Sequence, residues 1–372
     1  MKKALTLILA FSMILSAFAG CTAAEKEPAA AAQPAATAEP AAAAEPAAAA
    51  EPAPAEEPKA EMPTPEKPAV IDVQEFVSGE SNGGWAMVAA AIADKANAYF
   101  EGFPITVTTG GSVANPAVMS NGDAQIGLTQ GIFLNKLLAK EDPYAELQSD
   151  VSLKAIASLD STALYFVVDG SCPYNTLGEL IQSGTKYRVG AFAASSSSSI
   201  SGVMLLKEYG LTSFADLQDP GSEVYIADGS TLTDAYADHH IDLYINNTST
   251  SSASLKDLLN KRESKILAID PEIIASLCEK YGWGEMTIVG GTYDNNPDDV
   301  KTVGFKSILI VREDVPDELA YVLAKVCAEE KGYLETVQAS YKAFEVKDMV
   351  ESTVIEMHPG ALKYWQEAGF MN

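Results

Sequence analysis

From residue 69 to the C-terminus, short runs rich in β-branched residues alternate with segments of helical periodicity. The predicted strands cover residues 70–77, 105–109, 124–129, 154–159, 164–169, 188–191, 223–227, 241–246, 265–269 and 301–311. The predicted helices cover residues 85–100, 112–120, 133–140, 198–209, 232–238, 254–261, 271–281, 317–331, 334–344 and 360–368. Strands and helices that alternate at this spacing predict an α/β fold, in which parallel sheets are flanked by helices.

The first 21 residues have the pattern of an export signal. Lys2 and Lys3 precede an apolar stretch, residues 4–17, that is shorter than the roughly 20 residues of a membrane-spanning helix. The stretch ends in Phe-Ala-Gly-Cys at residues 18–21, which resembles a bacterial lipobox. We therefore expect acylation of Cys21 and a lipid anchor in the membrane, with simple secretion as the alternative.

Residues 22–68 consist mostly of Ala, Glu and Pro. Proline recurs there every six residues, at Pro28, Pro34, Pro40, Pro46 and Pro52. Each proline removes a backbone donor and biases the residue before it away from the helical region, so the segment is predicted to be an extended, semi-rigid spacer.

Charge and length constrain the part that follows. The chain carries 51 acidic against 25 basic residues, a formal net charge of −26 in 372 residues. Such a charge repels phosphate backbones and argues against nucleic-acid binding. The length that remains beyond the spacer exceeds a usual single core, which predicts two lobes.

No metal site or disulfide framework is predicted. The cysteines beyond the leader are odd in number and widely spaced: Cys172, Cys278 and Cys327. We interpret them as small buried hydrophobic residues. The alternative is that two of them form one disulfide once the protein is exported. The histidines match no metal motif: His239, His240 and His358. Residues 294–298 resemble a calcium loop only superficially, because Phe305 stands where Glu is required.

Four predicted strand-to-helix turns share an unusual composition. They lie at residues 78–85, 108–115, 129–131 and 190–199, are rich in Gly, Ser, Thr, Asn or Gln, and contain no Lys or Arg. In open α/β sheets ligands lie beyond the carboxyl ends of strands, where helix N-termini present unpaired N–H groups. Neutral donors there suit a carboxylate or another small anion. Taken singly, each turn could be an ordinary capped loop, with Ser112 and residues 196–198 as caps.

One motif indicates a different function. Gly79–Gly83 fits G-x-S-x-G between a predicted strand and a helix, which is the setting of a hydrolase nucleophile elbow. In α/β-hydrolases several strands precede that elbow, whereas only about ten structured residues precede it here. An exported serine hydrolase using Ser81 is therefore retained as an alternative only.

Eight short segments carry a family resemblance. They are S-G-E-S-N-G-G-W at 78–85, T-G-G-S-V-A-N at 109–115, N-G-D-A-Q-I-G-L-T-Q at 121–130, L-K-A-I-A-S-L at 153–159, V-G-A at 189–191, G-G-T-Y-D at 290–294, V-K-T-V-G at 300–304 and M-H-P-G-A-L-K-Y-W at 357–365. Their order resembles solute-binding proteins of tripartite ATP-independent periplasmic (TRAP) transporters, of the TRAP-associated extracytoplasmic immunogenic (TAXI) type. The sequence departs from that family at Trp85-Ala86, where a paired aromatic is usual, and at residues 193–199, where a G-S-G-T-like loop is usual.

The resemblance implies a hinge-connected, two-lobed fold like that of type II periplasmic binding proteins. The lobes would be residues 69–165 plus 295–372 and residues 166–294. They would close on a small carboxylate or amino acid, such as glutamate, glutamine or 2-oxoglutarate, for delivery to TRAP membrane permease subunits. We expect an extracytoplasmic, lipid-anchored monomer that is not an enzyme and uses no cofactor. A ligand sensor for a signalling partner would share the fold and the site.

By position in these turns, nine residues are expected to bind the ligand: Ser81, Trp85, Thr109, Ser112, Asn115, Gln130, Ser196, Ser197 and Asn246. Trp85 would form a stacking or hydrophobic wall, and the hydroxyl and amide groups would supply donors. The alternatives are that Trp85 is a core residue at the start of its helix and that Asn246 is a turn residue after its strand.

Overall fold

The structure is a computed structural model that describes residues 70–81, 83–149, 151–351 and 353–372. Cys21, the predicted export signal and the predicted spacer lie outside the described residues. Of the helices within the described ranges, none is both long enough and apolar enough to span a membrane.

The described residues form one large sheet with helices around it. The strands are β1 (Gln74–Val77), β2 (Ile105–Thr108), β3 (Ile126–Gln130), β4 (Leu153–Asp169), β5 (Val189–Ala191), β6 (Tyr225–Ile226), β7 (Leu243–Ser249), β8 (Ser264–Ile266), β9 (Gly284–Ile288) and β10 (Val300–Arg312). The helices are α1 (Gly84–Asn97), α2 (Asn115–Ser120), α3 (Gly131–Ala139), α4 (Leu177–Gln182), α5 (Ser197–Glu208), α6 (Gly229–Ala237), α7 (Ala253–Lys261), α8 (Pro271–Tyr281), α9 (Asp317–Glu329), α10 (Lys331–Val337) and α11 (Pro359–Glu367). Short 3₁₀ helices cover Phe214–Leu217, Ala339–Ala343 and Val346–Val350.

The strand order is β2-β1-β3-β10-β4-β7-β5-β6, with β8 added to β4 and β9 to β10. The outer pairs are parallel: β1 with β2 and β3, and β5 with β6 and β7. Every pair that includes β4 or β10 is antiparallel. The predicted α/β class is confirmed, but the prediction of purely parallel sheets is wrong at the centre, where these two long strands run against their neighbours.

β4 and β10 link two groups of strands. β4 pairs with β10 as far as Ala163 and with β7 from Thr162 onward. β10 pairs with β9 up to Gly304 and with β3 and β4 beyond it. The first group, β2-β1-β3, therefore lies on one side of this central pair, and the second, β7-β5-β6, lies on the other.

The prediction of two separate strands at 154–159 and 164–169 is wrong, because one strand runs through the polar interval between them. The backbones of Ser161 and Thr162 pair there with Lys306 and Phe305 of β10. The Asp160 carboxylate is buried and accepts a hydrogen bond of 2.6 Å from Ser340 Oγ. Pairing and hydrogen bonding thus accommodate residues whose polarity suggested a break.

Alternation along the second half of β4 explains the two cores that cover it. Leu164, Phe166 and Val168 enter a cluster with α5 and α8. Ala163, Tyr165 and Val167 enter a cluster with α6 and α7 on the other face. Since successive side chains of a strand point to opposite faces, a continuous apolar run is buried only when both faces are covered.

Local signals fix the helix that was predicted with the correct bounds, α8. Asp270 is its N-cap, Pro271 occupies its first position, and Gly282 follows it with φ of 65°. Proline at the first position and glycine in the left-handed region after the last turn are the end signals of a helix. In contrast, β9 and α4 were not predicted.

The three cysteines among the described residues are free: Cys172, Cys278 and Cys327. Cys327 is fully buried.

Candidate functional site

A cavity of about 810 Å³ lies between the β1–α1 turn and the second group of strands. Its wall combines residues from that turn with residues from α5, α6, α7 and β7. The lining residues are Glu80, Gly83, Phe192, Ser196, Ser197, Ser198, Asp228, Gly229, Ser230, Thr233, Asp234, Tyr244, Asn246, Asn247, Ser254, Asp257 and Lys261.

Four helix N-termini meet this cavity. The N-cap residues of α1, α5 and α6 line it, namely Gly83, Ser196 and Asp228, and so does Ser254 in the first turn of α7. The first N–H groups of a helix have no acceptor within the helix, and the helix dipole adds partial positive charge there. The cavity therefore offers backbone donors from elements on both of its sides.

The two sides differ in how these ends are capped. Gly83 gives α1 no side-chain cap. At α5, Ser196 Oγ accepts a hydrogen bond of 3.2 Å from Ser199 N–H, while Ser199 Oγ donates to the Phe192 carbonyl at 2.7 Å. The caps leave the first two N–H groups of α5 without an intrahelical acceptor, at a position that lines the cavity.

The floor of the cavity is a buried polar network on β7. Ser198 Oγ donates to Asn246 Oδ1 at 3.0 Å, and Asn247 N–H donates to Ser198 Oγ at 3.1 Å. Asn246 Nδ2 donates to the Tyr244 hydroxyl at 2.8 Å. Tyr244 is itself buried, and burial raises the pKa of its phenol above the ordinary range. These hydrogen bonds join the start of α5 to β7 at the floor of the cavity.

The charged side chains of the wall are mainly acidic. Lys261 pairs with Asp234 and Asp257, each at 3.1 Å. Asp228 accepts hydrogen bonds from the hydroxyl of Ser230 and from the backbone N–H and hydroxyl of Thr231, which hold the pKa of that carboxyl well below its ordinary value. Within the described ranges, no three His, Cys, Asp or Glu side chains are grouped to hold a metal ion.

Three of the nine expected ligand-binding residues line the cavity: Ser196, Ser197 and Asn246. Ser81 is exposed and Trp85 is half-buried on the turn that contributes Glu80 and Gly83. Thr109 is exposed on the neighbouring turn after β2. Another three are almost inaccessible, with exposed fractions of 8%, 0% and 3%: Ser112, Asn115 and Gln130.

Asn115 was expected to donate to a ligand, but the structure gives its amide another role. Its Nδ2 donates to the carbonyls of Ser78 and Leu128, each at 2.7 Å, and its Oδ1 accepts from Gly111 N–H at 2.8 Å. Because both ends of the amide are occupied by backbone, Asn115 ties the ends of β1 and β3 to the turn after β2. It also starts α2 later than the predicted residue 112.

The backbone of Ser112 and the side-chain amide of Gln130 make hydrogen bonds inside the protein. The Ser112 carbonyl accepts a hydrogen bond of 2.7 Å from Thr129 Oγ1. Gln130 Nε2 donates to Thr162 Oγ1 at 2.7 Å, and Gln130 Oε1 accepts from Asn247 Nδ2 at 3.4 Å. Gln130 therefore connects β3 of the first group with β4 and with the cavity floor on β7.

The sequence prediction missed the contribution of α6. Residues 228–231 read Asp-Gly-Ser-Thr directly after a predicted strand, and they form the N-terminus of α6 that lines the cavity. This is a fifth strand-to-helix turn with the same composition as the other four. The acidic N-cap, which is a standard helix start signal, could have identified it.

The catalytic motif G-x-S-x-G would use the Ser81 hydroxyl as its nucleophile. Ser81 is exposed, and among the described residues no histidine makes a hydrogen bond with its hydroxyl. His358 is buried and accepts from Gly360 N–H at 3.2 Å, while His239 and His240 are exposed between α6 and β7. A serine nucleophile needs an adjacent base for activation.

Comparison with known families identifies the chain. The sequence pattern of the NMT1-like family matches residues 78–369, which include every strand and helix from α1 to α11. The protein belongs to the NMT1-like family. No protein of curated function matches its sequence.

Several solved structures are similar to this NMT1-like protein. The periplasmic binding protein BugD has a TM-score of 0.48 and 14% identity, over 82% of this chain and 99% of BugD. MatC from Rhodopseudomonas palustris, solved with bound malate, has a TM-score of 0.45 and 13% identity, over 73% of this chain and 89% of MatC. The aliphatic sulphonate binding protein SsuA from Escherichia coli has a TM-score of 0.41 and 12% identity, over 80% of this chain and 83% of SsuA. Similarity at this level says nothing about the ligand of this protein.

Proposed function

We propose that this NMT1-like protein is an extracytoplasmic solute-binding protein that captures a small carboxylate or amino acid for a TRAP-type secondary transporter. The observation that carries the proposal is the cavity lined by the N-termini of α1, α5, α6 and α7. A carboxylate placed there would receive backbone hydrogen bonds from both sides of the cavity. The TAXI-like motif at residues 78–85 contributes Glu80 and Gly83 to the cavity wall, and the motif at 109–115 contacts it through a hydrogen bond from Gly110 N–H to the Gly79 carbonyl at 3.1 Å.

The central strands support a hinge. The lobes in this proposal are residues 69–165 plus 295–372 and residues 166–294. β4 changes its partner strand at Thr162, close to the first boundary, and β10 changes partner at Gly304, further along the chain than the second boundary. Rotation about two such strands would bring the β1–α1 turn onto α5 and enclose a ligand. A permease would then distinguish the closed form from the open one.

The proposed roles follow the positions of the side chains. Ser196 and Ser197 would present donors at the start of α5, and Asn246 would form the floor. Ser81 and Trp85 would approach the ligand as the β1–α1 turn closes. Asn115 and Gln130 would act indirectly, by fixing the turns and the floor through the hydrogen bonds described above.

The cellular setting is part of the same proposal. Residues 1–21 would direct export, Cys21 would carry the lipid anchor, and residues 22–68 would hold the binding domain away from the membrane. The extracytoplasmic position would suit a chain of net charge −26, because a strongly charged surface keeps a protein soluble.

Binding is tested by calorimetry on the full chain with a panel of small carboxylates and amino acids. A ligand present at 100 times its Kd should raise the free energy of unfolding by about 2.7 kcal/mol. Absence of binding by every member of the panel would refute the proposed ligand class. Transporter linkage is tested separately, by ion-gradient-driven uptake into vesicles that contain the membrane subunits of a TRAP transporter, and uptake that does not depend on this protein would refute the linkage.

A charge substitution locates the carboxylate. Ser197→Asp places a negative charge in the first turn of α5, where it favours the helix but repels a bound carboxylate. We expect the melting temperature to be unchanged or raised and ligand affinity to fall by at least about tenfold. Ala215→Asp adds the same charge at an exposed position outside the cavity and should leave affinity unchanged.

A further inference from the structure

A hydrocarbon side chain, that of Phe192, lies in a cavity wall that is otherwise polar. Of the described residues that line the cavity, Phe192 alone has a purely hydrocarbon side chain. Tyr244, the other aromatic residue of the wall, is buried, and its hydroxyl accepts a hydrogen bond from Asn246. Phe192 is only half-buried. Apolar surface left exposed in a cavity wall indicates a hydrocarbon group that covers it when the ligand binds.

Contacts with two other wall residues place the ring of Phe192. The ring lies edge-to-face against Tyr244, with centroids 6.3 Å apart and an interplanar angle of 62°. A Cβ added to Gly229 would lie 3.5 Å from Cε1 of the ring and 3.6 Å from Cζ. Because Tyr244 and Gly229 both line the cavity, the ring of Phe192, and not its backbone alone, belongs to the wall. Gly229 has no side chain with which to cover the adjacent edge of the ring.

The same ring lies beside two helix N-termini. Phe192 directly follows β5, and its carbonyl accepts a hydrogen bond of 2.7 Å from Ser199 Oγ in the first turn of α5. Its ring approaches Gly229, the first residue of α6. The unpaired N–H groups at a helix start suit a carboxylate. A ligand whose carboxylate binds at either helix therefore has its substituent close to Phe192.

The charges of the wall disfavour a second carboxylate. Four acidic side chains line the cavity against one lysine: Glu80, Asp228, Asp234 and Asp257 against Lys261. Lys261 is held in ion pairs with Asp234 and Asp257, each at 3.1 Å. Within the described wall this leaves no unpaired cation for an acidic substituent. Like charges placed together in a partly enclosed site repel.

We propose that the ligand has a single carboxylate and an apolar substituent that packs on the ring of Phe192. The inference rests on the proposed solute-binding function and specifies its ligand class. Amino acids with aliphatic or aromatic side chains, and the corresponding 2-oxo acids, meet both requirements. Their carboxylate suits the helix N-termini, and their hydrocarbon part removes the exposed ring surface from water. Glutamine lacks the apolar substituent, and glutamate and 2-oxoglutarate carry a second carboxylate.

The test compares probes that share the carboxylate end and differ in the substituent. Calorimetry on the full chain compares L-leucine with L-glutamine and L-glutamate, and 2-oxoisocaproate with 2-oxoglutarate. We expect the apolar member of each set to bind at least about tenfold more tightly than the polar or acidic members. The use of both amino acids and 2-oxo acids separates the effect of the substituent from that of the amine.

Substitutions at Phe192 separate apolar contact from general packing. Phe192→Gln introduces a polar side chain and should abolish the preference for L-leucine over L-glutamine, whereas Phe192→Leu keeps an apolar side chain and should retain it. Phe370→Ala is the matched control, because Phe370 also meets a buried aromatic ring edge-to-face, that of Trp365, but lies outside the cavity wall. The control should leave the preference unchanged. The melting temperature of each variant shows that it is folded, and the comparison of probes on the unsubstituted chain needs no variant.

The outcomes are distinct. Tighter binding of L-glutamine, L-glutamate or 2-oxoglutarate than of the apolar probes would overturn the inference and leave the solute-binding proposal standing. An unchanged preference in Phe192→Gln, or an equal loss of preference in Phe192→Leu or Phe370→Ala, would also overturn it. Failure of every probe to bind would overturn the solute-binding proposal, and this inference with it.

Discussion

Replacing Asn115 with alanine is expected to lower the free energy of unfolding by about 3–5 kcal/mol, without any ligand present. The substitution removes the partner of two buried backbone carbonyls, those of Ser78 and Leu128, and of the part-buried N–H of Gly111. Each unpaired buried group costs about 1–3 kcal/mol, and partial rearrangement reduces the sum. Asn115 is fully inaccessible, so solvent cannot replace these bonds without local opening.

Urea unfolding of the full chain measures this loss, followed in parallel by tryptophan fluorescence and circular dichroism. If the fluorescence and circular dichroism transitions coincide, unfolding can be treated as two-state and its free energy calculated. Asn121→Ala is the matched control, because Asn121 is the exposed C-cap of the same short helix, α2. We expect the control to change stability by less than about 0.5 kcal/mol.

Asn115→Asp sharpens the test. An aspartate has the same shape and still accepts from Gly111 N–H, but its carboxylate faces carbonyl oxygens instead of donating to them. Because a buried charge then meets acceptors only, we expect a larger loss at pH 7 than in the alanine variant, with recovery as the pH falls. A loss below about 1 kcal/mol in Asn115→Ala would refute the assignment of Asn115 to the scaffold.

Three further predictions concern other parts of the fold. Burial raises the pKa of Asp160 from its ordinary 3.8, so the protonated carboxyl favours the folded state. The contribution of this protonation to stability is fully present below about pH 4 and is lost as the pH rises. Urea unfolding between pH 4 and 7 should therefore show the wild type losing stability relative to Asp160→Asn, and parallel curves would contradict this. Gly304→Ala should lower the free energy of unfolding by about 1–3 kcal/mol, because a Cβ there meets a methionine side chain and a backbone carbonyl. The control Gly332→Ala, in α10, places its Cβ in open space and should not destabilise the fold. Equal melting temperatures for the two variants would contradict this prediction. Ser196→Ala should cost about 1 kcal/mol through loss of the α5 cap and speed amide exchange in the first turn of that helix, and unchanged exchange would argue against the cap.

Elements with strong local signals were predictable from the sequence. α8 carries an N-cap, a proline at its first position and a glycine after its last turn, and its bounds match the prediction. Elements without such signals were missed or misplaced. β9 is a short strand whose place is set by pairing with β10, and the polar interval of β4 is held by neighbours distant in sequence. Pairing partners of this kind leave no trace in a local pattern.

The candidate site was predictable to the level of its turns. The composition of residues 190–199 indicated a donor-rich helix start, and Ser196 and Ser197 do line the cavity. The same composition at residues 108–115 led to Asn115, whose amide is used up inside the scaffold. Polar composition marks a turn that can bind, but it does not say whether a given side chain points to a ligand or to backbone.

The sequence by itself determined the α/β class, the order of most strands and helices, and the concentration of neutral donors at helix starts. These follow from periodicity, caps and turn residues, which act between residues a few positions apart. Only the tertiary structure decided which donors remain free. Asn115 meets Ser78 across 37 positions and Gln130 meets Asn247 across 117, so the availability of each amide depends on strands that folding brings together from distant parts of the chain.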